Sequence, residues 1–167
     1  MSDWRRAALV LFTLPLLGCP YDSPAPVAEP SATPLDARLA GGWRCVGGGD
    51  KEVLVLRFTS IDPVQMDVDA AVGTDGNPFR LHSATLAGAP VLNIEDRKPP
   101  ANDEDRWSLG RVTFLRPDVL LFELAREEPF NAAPKGAKPA DTAATALARG
   151  ELFEDFCVCI RAEEPKP

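Results

Sequence analysis

Cysteine and histidine have the widest chemical reach of any side chains here, and they are few: Cys19, Cys45, Cys157, Cys159 and a single His82. A nucleophilic site needs a base beside its nucleophile. His82 and Ser83 are sequence neighbours, and neighbours on a strand point to opposite faces. The pair therefore reads as surface. Zinc accepts both residue types, but His82 with Cys157-x-Cys159 lacks the second chelating pair of a structural site. Asp67 and Asp69 share a strand face, and Asn102-Asp103-Glu104-Asp105 crowds a loop. Neither has the twelve-residue, Glu-terminated loop of a calcium site, and any acidic loop would serve equally badly as a glycosidase pair. No Gly-x-Ser-x-Gly, Walker A or dinucleotide fingerprint occurs, and Gly47-Gly48-Gly49-Asp50 reads as a hairpin turn. The expectation is a non-enzymatic protein with no catalytic residue, no metal and no cofactor.

Cys19 stands apart from the other cysteines. Arg5 and Arg6 precede an apolar run from Ala7 to Gly18, interrupted by Pro15. As a helix the run would rise about 18 Å against roughly 30 Å of hydrocarbon, which suits an export signal better than a span. Its end, Leu16-Leu17-Gly18-Cys19, resembles the lipobox of bacterial lipoproteins, although Leu17 is bulkier than the residue usual there. The resemblance implies that the Cys19 thiol takes a diacylglyceryl group. It also implies cleavage after Gly18 and acylation of the new amine by a fatty acid such as palmitate. Pro20, rather than Asp, follows the cysteine, so the lipid-anchored protein is expected in the bacterial envelope, at the outer membrane in preference to the inner.

Residues 1–18 are thus read as a signal peptide and 19–35 as a lipidated tether. Prolines at 20, 24, 26, 30 and 34 favour an extended, hydrogen-bond-poor chain. Residues 36–164 are read as the folded domain. Without residues 1–18 the chain has 16 basic against 24 acidic side chains. Such a surface repels phosphate backbones, so nucleic acid is not an expected partner.

The domain shows period-two patterning. Over 51–59, Leu54, Leu56 and Phe58 alternate with Val53, Val55 and Arg57; over 63–72, Val64, Met66, Val68 and Ala70 alternate with Gln65, Asp67 and Asp69. Further strands are expected at 79–86, 90–95, 106–115, 119–126 and 153–162. Residues 73–78 form a turn cluster, and Gly110 sits where strand 106–115 changes its apolar face, which predicts a bulge. Asp141 is placed to cap a short helix ending at Gly150. The expected fold is mainly β: an antiparallel meander of about eight strands, closed as a small barrel or folded as a sandwich, with one short helix before the last strand.

Gly41-Gly42-Trp43 is similar to the Gly-x-Trp that opens the first strand of lipocalins. In that family an arginine near the end of the barrel packs across the tryptophan, a role that falls here to Arg161. An exported domain meets oxidising conditions, so one disulfide among Cys45, Cys157 and Cys159 is expected. Bridging Cys157 to Cys159 would close a tight loop, which favours a long-range pair. If the first and last strands are antiparallel neighbours with Trp43 opposite Arg161, then Cys45 falls opposite Cys159, leaving Cys157 free. The patterning conflicts with this, because Phe156, Val158 and Ile160 look like the inward face. A covering helix, a bulge in the last strand or a different pairing would each resolve it.

For function, the expectation is a membrane-anchored accessory or partner-binding module of the envelope. The alternative is a lipocalin-like carrier with an apolar ligand among Trp43, Leu54, Leu56, Phe58, Met66, Phe114 and Phe122. An open interior of several hundred Å³ would favour the carrier.

Overall fold

The protein is represented by a computed structural model that describes residues 20–47, 53–101 and 104–162. Gly18 and Cys19, with the expected signal peptide, lie outside the described residues.

Eight strands close into an antiparallel barrel. They are β3 (Gly41–Gly47), β4 (Val53–Asp62), β5 (Gln65–Val72), β6 (Asp75–Leu86), β7 (Ala89–Asp96), β8 (Trp107–Arg116), β9 (Val119–Ala125) and β10 (Phe153–Arg161). Each pairs with its successor, and β10 returns to β3. Alternation dictates the wall. Leu56, Phe58, Met66 and Val68 are buried inside, while Val55, Arg57 and Asp69 are exposed outside. An apolar interior behind a charged exterior is the reverse of a transmembrane barrel.

The two ends of the barrel differ. At one, the 3-10 turn Ala37–Leu39 brings Leu39 under Trp43, whose Nε1–H donates to the Leu39 carbonyl at 2.8 Å. Arg161 lies over the Trp43 ring, 4.3 Å from its centroid, as the lipocalin resemblance implied. The guanidinium also donates to the carbonyls of Ala40 and Arg38. Gly41 makes room for it: the backbone there has φ +108°, and a Cβ would lie 3.3 Å from Arg161 Nη1. This end is the floor.

The last strand resolves its own conflict by a bulge. Asp155 pairs with Glu123 and Cys157 with Phe122, leaving Phe156 as the extra residue. Cys157 and Cys159 face inward and are buried, whereas Val158 and Ile160 face outward. Of the expected inward face of β10, Val158 and Ile160 are therefore on the outside, while the bulged Phe156 reaches the lip of the interior. Strand β8 corrects a second expectation: its register shifts between Phe114 and Arg116, and not at Gly110. The sequence seemed to change face because Leu109, on the outside, is covered as completely as any core residue.

What covers it is a second apolar layer outside the barrel. Helix α2 (Pro139–Ala148) lays Ala143 and Ala146 into a cluster with Leu109 and the small residues Ala84 and Ala125. Pro139 opens α2 and no side chain caps it, so Asp141 does not have the capping role expected of it. A one-turn helix, α1 (Glu128–Asn131), precedes α2, and its Phe130 stacks on Tyr21 with ring centroids 3.5 Å apart.

The proline-rich segment completes this layer and is not a free tether. Strand β1 (Asp22–Ser23) pairs with β8 and β2 (Glu29–Pro30) with β6. Between them Val27 and Ala28 are buried, and Asn93 holds Ala28 from both sides, accepting from its N–H at 3.1 Å and donating to its carbonyl at 2.8 Å. Proline restricts each pairing to two residues, so burial and one amide side chain do what a long ladder would otherwise do. Replacing Asn93 with Ala strands two buried backbone groups and should cost about 1–3 kcal/mol in urea unfolding. Proteolysis within residues 20–35 should accelerate first.

Candidate functional site

The end of the barrel opposite the floor is open. A cavity of about 460 Å³ descends from it, lined by Leu54, Leu56, Val68, Ala70, Val72, Phe79, Leu81, Ile94, Phe122, Leu124 and Phe156. Asp75, Gly76, Asn77 and Ser108 supply the few polar positions, all at the mouth. This is the usual composition of a small-molecule pocket: a mostly apolar wall with a few polar groups.

The cavity exists because side-chain size is graded along the barrel axis. Trp43, Phe58, Met66 and Leu120 fill the floor half and are buried there, with Phe114 edge-on to Trp43 at 6.0 Å. Toward the mouth β5 contributes Val68, Ala70 and Val72, and β6 contributes Gly76, so facing walls no longer meet. Phe156, pushed out of register by the bulge, folds over the lip and contacts Phe122 at 6.4 Å between centroids.

Of the residues expected to line a cavity, Leu54, Leu56 and Phe122 do so; Trp43, Phe58, Met66 and Phe114 pack the floor instead. The remaining lining positions were not expected to form it. Alternation marked Val68 and Ala70 as inward, but only the strand registers reveal which inward residues lie near the mouth. Alternation put Phe156 on an inward face, but only the bulge, one of three resolutions the sequence left open, puts it at the lip beside inward-facing Cys157.

Three sulfurs sit beside the cavity, on the strands next to its lining residues Leu54 and Phe122. Cys45 and Cys159 are paired, Sγ to Sγ 1.96 Å, and stand opposite each other in the same register that sets Trp43 opposite Arg161. Cys157 is a free, buried thiol with its Sγ 3.6 Å from that of Cys159. All three sulfurs lie within 4.8 Å of one another, two of them joined in the disulfide, and His82 is on the outer face, away from them. His82 instead meets Glu95 at 3.4 Å and the Trp107 ring at 5.2 Å. Asp67 is engaged by Arg80 at 2.8 Å. A second cleft, about 360 Å³, lies near the floor between the proline-rich segment and β8, and charged Asp36 and Arg111 border it.

No family model, no curated protein and no solved structure matches the chain. The architecture therefore rests on strand order and register alone.

The sulfur cluster has a measurable signature. Burial pushes the Cys157 thiol from 9.0 up to about 12. With Cys19 replaced by Ser, the chain should show no reactive thiol when folded, one after unfolding, and three after unfolding with reductant. Because the folded thiol holds its proton to a higher pH than the unfolded one, its contribution to stability is complete below pH 9. That contribution falls as pH rises from about 9 toward 12. Urea unfolding at increasing pH should show this decline in the parent and a flatter profile in Cys157→Ala.

Proposed function

We propose that this protein is a lipid-anchored, non-enzymatic carrier that holds a small apolar ligand in the mouth half of its barrel. The observation that carries the reading is the apolar cavity of about 460 Å³, within the range of pockets that enclose small molecules. Polar groups only at the lip suit a ligand with one polar end and an apolar body. Anchoring follows from the lipobox-like Leu16-Leu17-Gly18-Cys19, with residence in the bacterial envelope. Among the described residues no base stands beside a nucleophile in the interior: the Cys157 thiol, next to the cavity, is held protonated by burial.

A partner-binding role is the second reading, favoured by the outer face of β3 and β10. Val46, Val158 and Ile160 are 60%, 44% and 56% exposed there, side by side across the seam.

Native mass spectrometry of the protein extracted from membranes should detect a co-purifying lipid. Ala70→Trp fills the cavity from its wall and should weaken binding of an apolar fluorescent probe by about tenfold or more, roughly 1.4 kcal/mol. Thermal stability should be nearly unchanged. Unaltered probe binding in Ala70→Trp would turn the reading toward the outer face. Cys19→Ser should abolish acylation and release the protein from membranes.

A further inference from the structure

The chain enters the described structure at the rim of the open mouth. Pro20 bridges to Arg126, just beyond the end of β9, and the Tyr21 N–H donates to the Ala125 carbonyl at 2.9 Å. Asp22 pairs with Ser108, itself a lining residue of the cavity, and accepts from its hydroxyl at 2.5 Å. From there the segment crosses the outside of β7 and reaches the floor end, where the Leu35 N–H donates to the Pro63 carbonyl.

This placement removes the slack that a proline-rich tether would give. Cys19 is one peptide bond before Pro20, and three Cα–Cα steps of 3.8 Å, about 11 Å in all, separate it from Asp22 at the cavity wall. Acyl chains on Cys19 must lie in the bilayer, so the rim beside Asp22 is held at the headgroups while the floor points away. The lip is suited to that position. Val72 and Phe156, both lining residues, are 38% and 43% exposed. Its charges are of both signs, Arg97, Lys98, Arg106 and Arg126 against Asp75, Asp96, Glu104, Asp105, Glu127 and Glu128. The acidic ones are in excess, so contact suits zwitterionic rather than anionic lipid.

We propose that the barrel sits mouth-down on the bilayer that holds its anchor, and that its ligand is a lipid exchanged directly between cavity and bilayer. This rests on the acylation of Cys19 and on the carrier reading, and adds an orientation and a ligand source that neither contains. A membrane-resident lipid leaving through this mouth keeps its apolar body out of water throughout.

The test uses the acylated full-length protein in phosphatidylcholine–phosphatidylethanolamine vesicles containing a doxyl-labelled phospholipid. A fluorophore is placed at the mouth by Thr74→Cys or at the floor by Asp118→Cys; both positions are exposed turns, and Cys157 is buried from the label. Quenching at the mouth should exceed that at the floor by about threefold or more, given insertion to headgroup depth. Inserting about twenty Gly/Ser residues between Cys19 and Pro20 leaves the barrel intact and should bring the ratio near one. Equal quenching without the insertion, stronger quenching at the floor, or a ratio indifferent to the insertion would each overturn the orientation. The premises are read separately: the mass of the amino-terminal peptide reports acylation, and probe binding by the Cys19→Ser chain reports the cavity. Either can hold while the orientation fails.

Discussion

A barrel of eight strands closes only when its first and last strands pair, and that pairing joins segments more than a hundred residues apart. Here β3 and β10 are held by three interactions in one register: the ladder itself, the Cys45–Cys159 disulfide across 114 residues, and Arg161 spread over Trp43. In the chain-entropy account a cross-link of that span contributes roughly 3–5 kcal/mol by restricting the unfolded chain. The arginine adds what the disulfide lacks. It ties β10 to the 3-10 turn before β3 through two carbonyls, and so fixes where the floor lies. Everything above the seam inherits its position from it.

The cavity is a consequence of that closure combined with an uneven distribution of volume. A barrel of eight strands encloses just enough space for side chains to fill. Three bulky aromatics and a methionine occupy that space at the floor, while Ala70 and Gly76 leave it unused at the mouth. Native interiors tolerate few such voids. One that persists above a floor plugged by aromatic side chains, with polar groups confined to its rim, is a shaped feature of the wall.

Much of this was legible in the residues. The strands follow from two-residue alternation, and the seam register follows once Trp43 is set opposite Arg161. The misreadings have one common cause, the second apolar layer. Leu109 looked like a change of face because the outside of β8 is buried too. The proline-rich segment looked like a tether because its hydrogen bonds go to distant partners, Asn93 among them 65 residues away, which no local pattern reveals. On β10 the apolar Val158 and Ile160 face outward, and the cysteines face in. Periodicity reports how apolar each face is, and a barrel with both faces partly covered makes that report ambiguous.

The Asn93–Ala28 link also sets an order of events. Residues 20–35 are made early, yet their partners lie on β6, β7, β8 and β9, which are made tens of residues later. The segment nearest the amino terminus thus docks among the last, after most of the barrel exists to receive it. Until then it is loose chain. The finished molecule shows a fixed strap, whereas the nascent one carries a leash until β9 has been made.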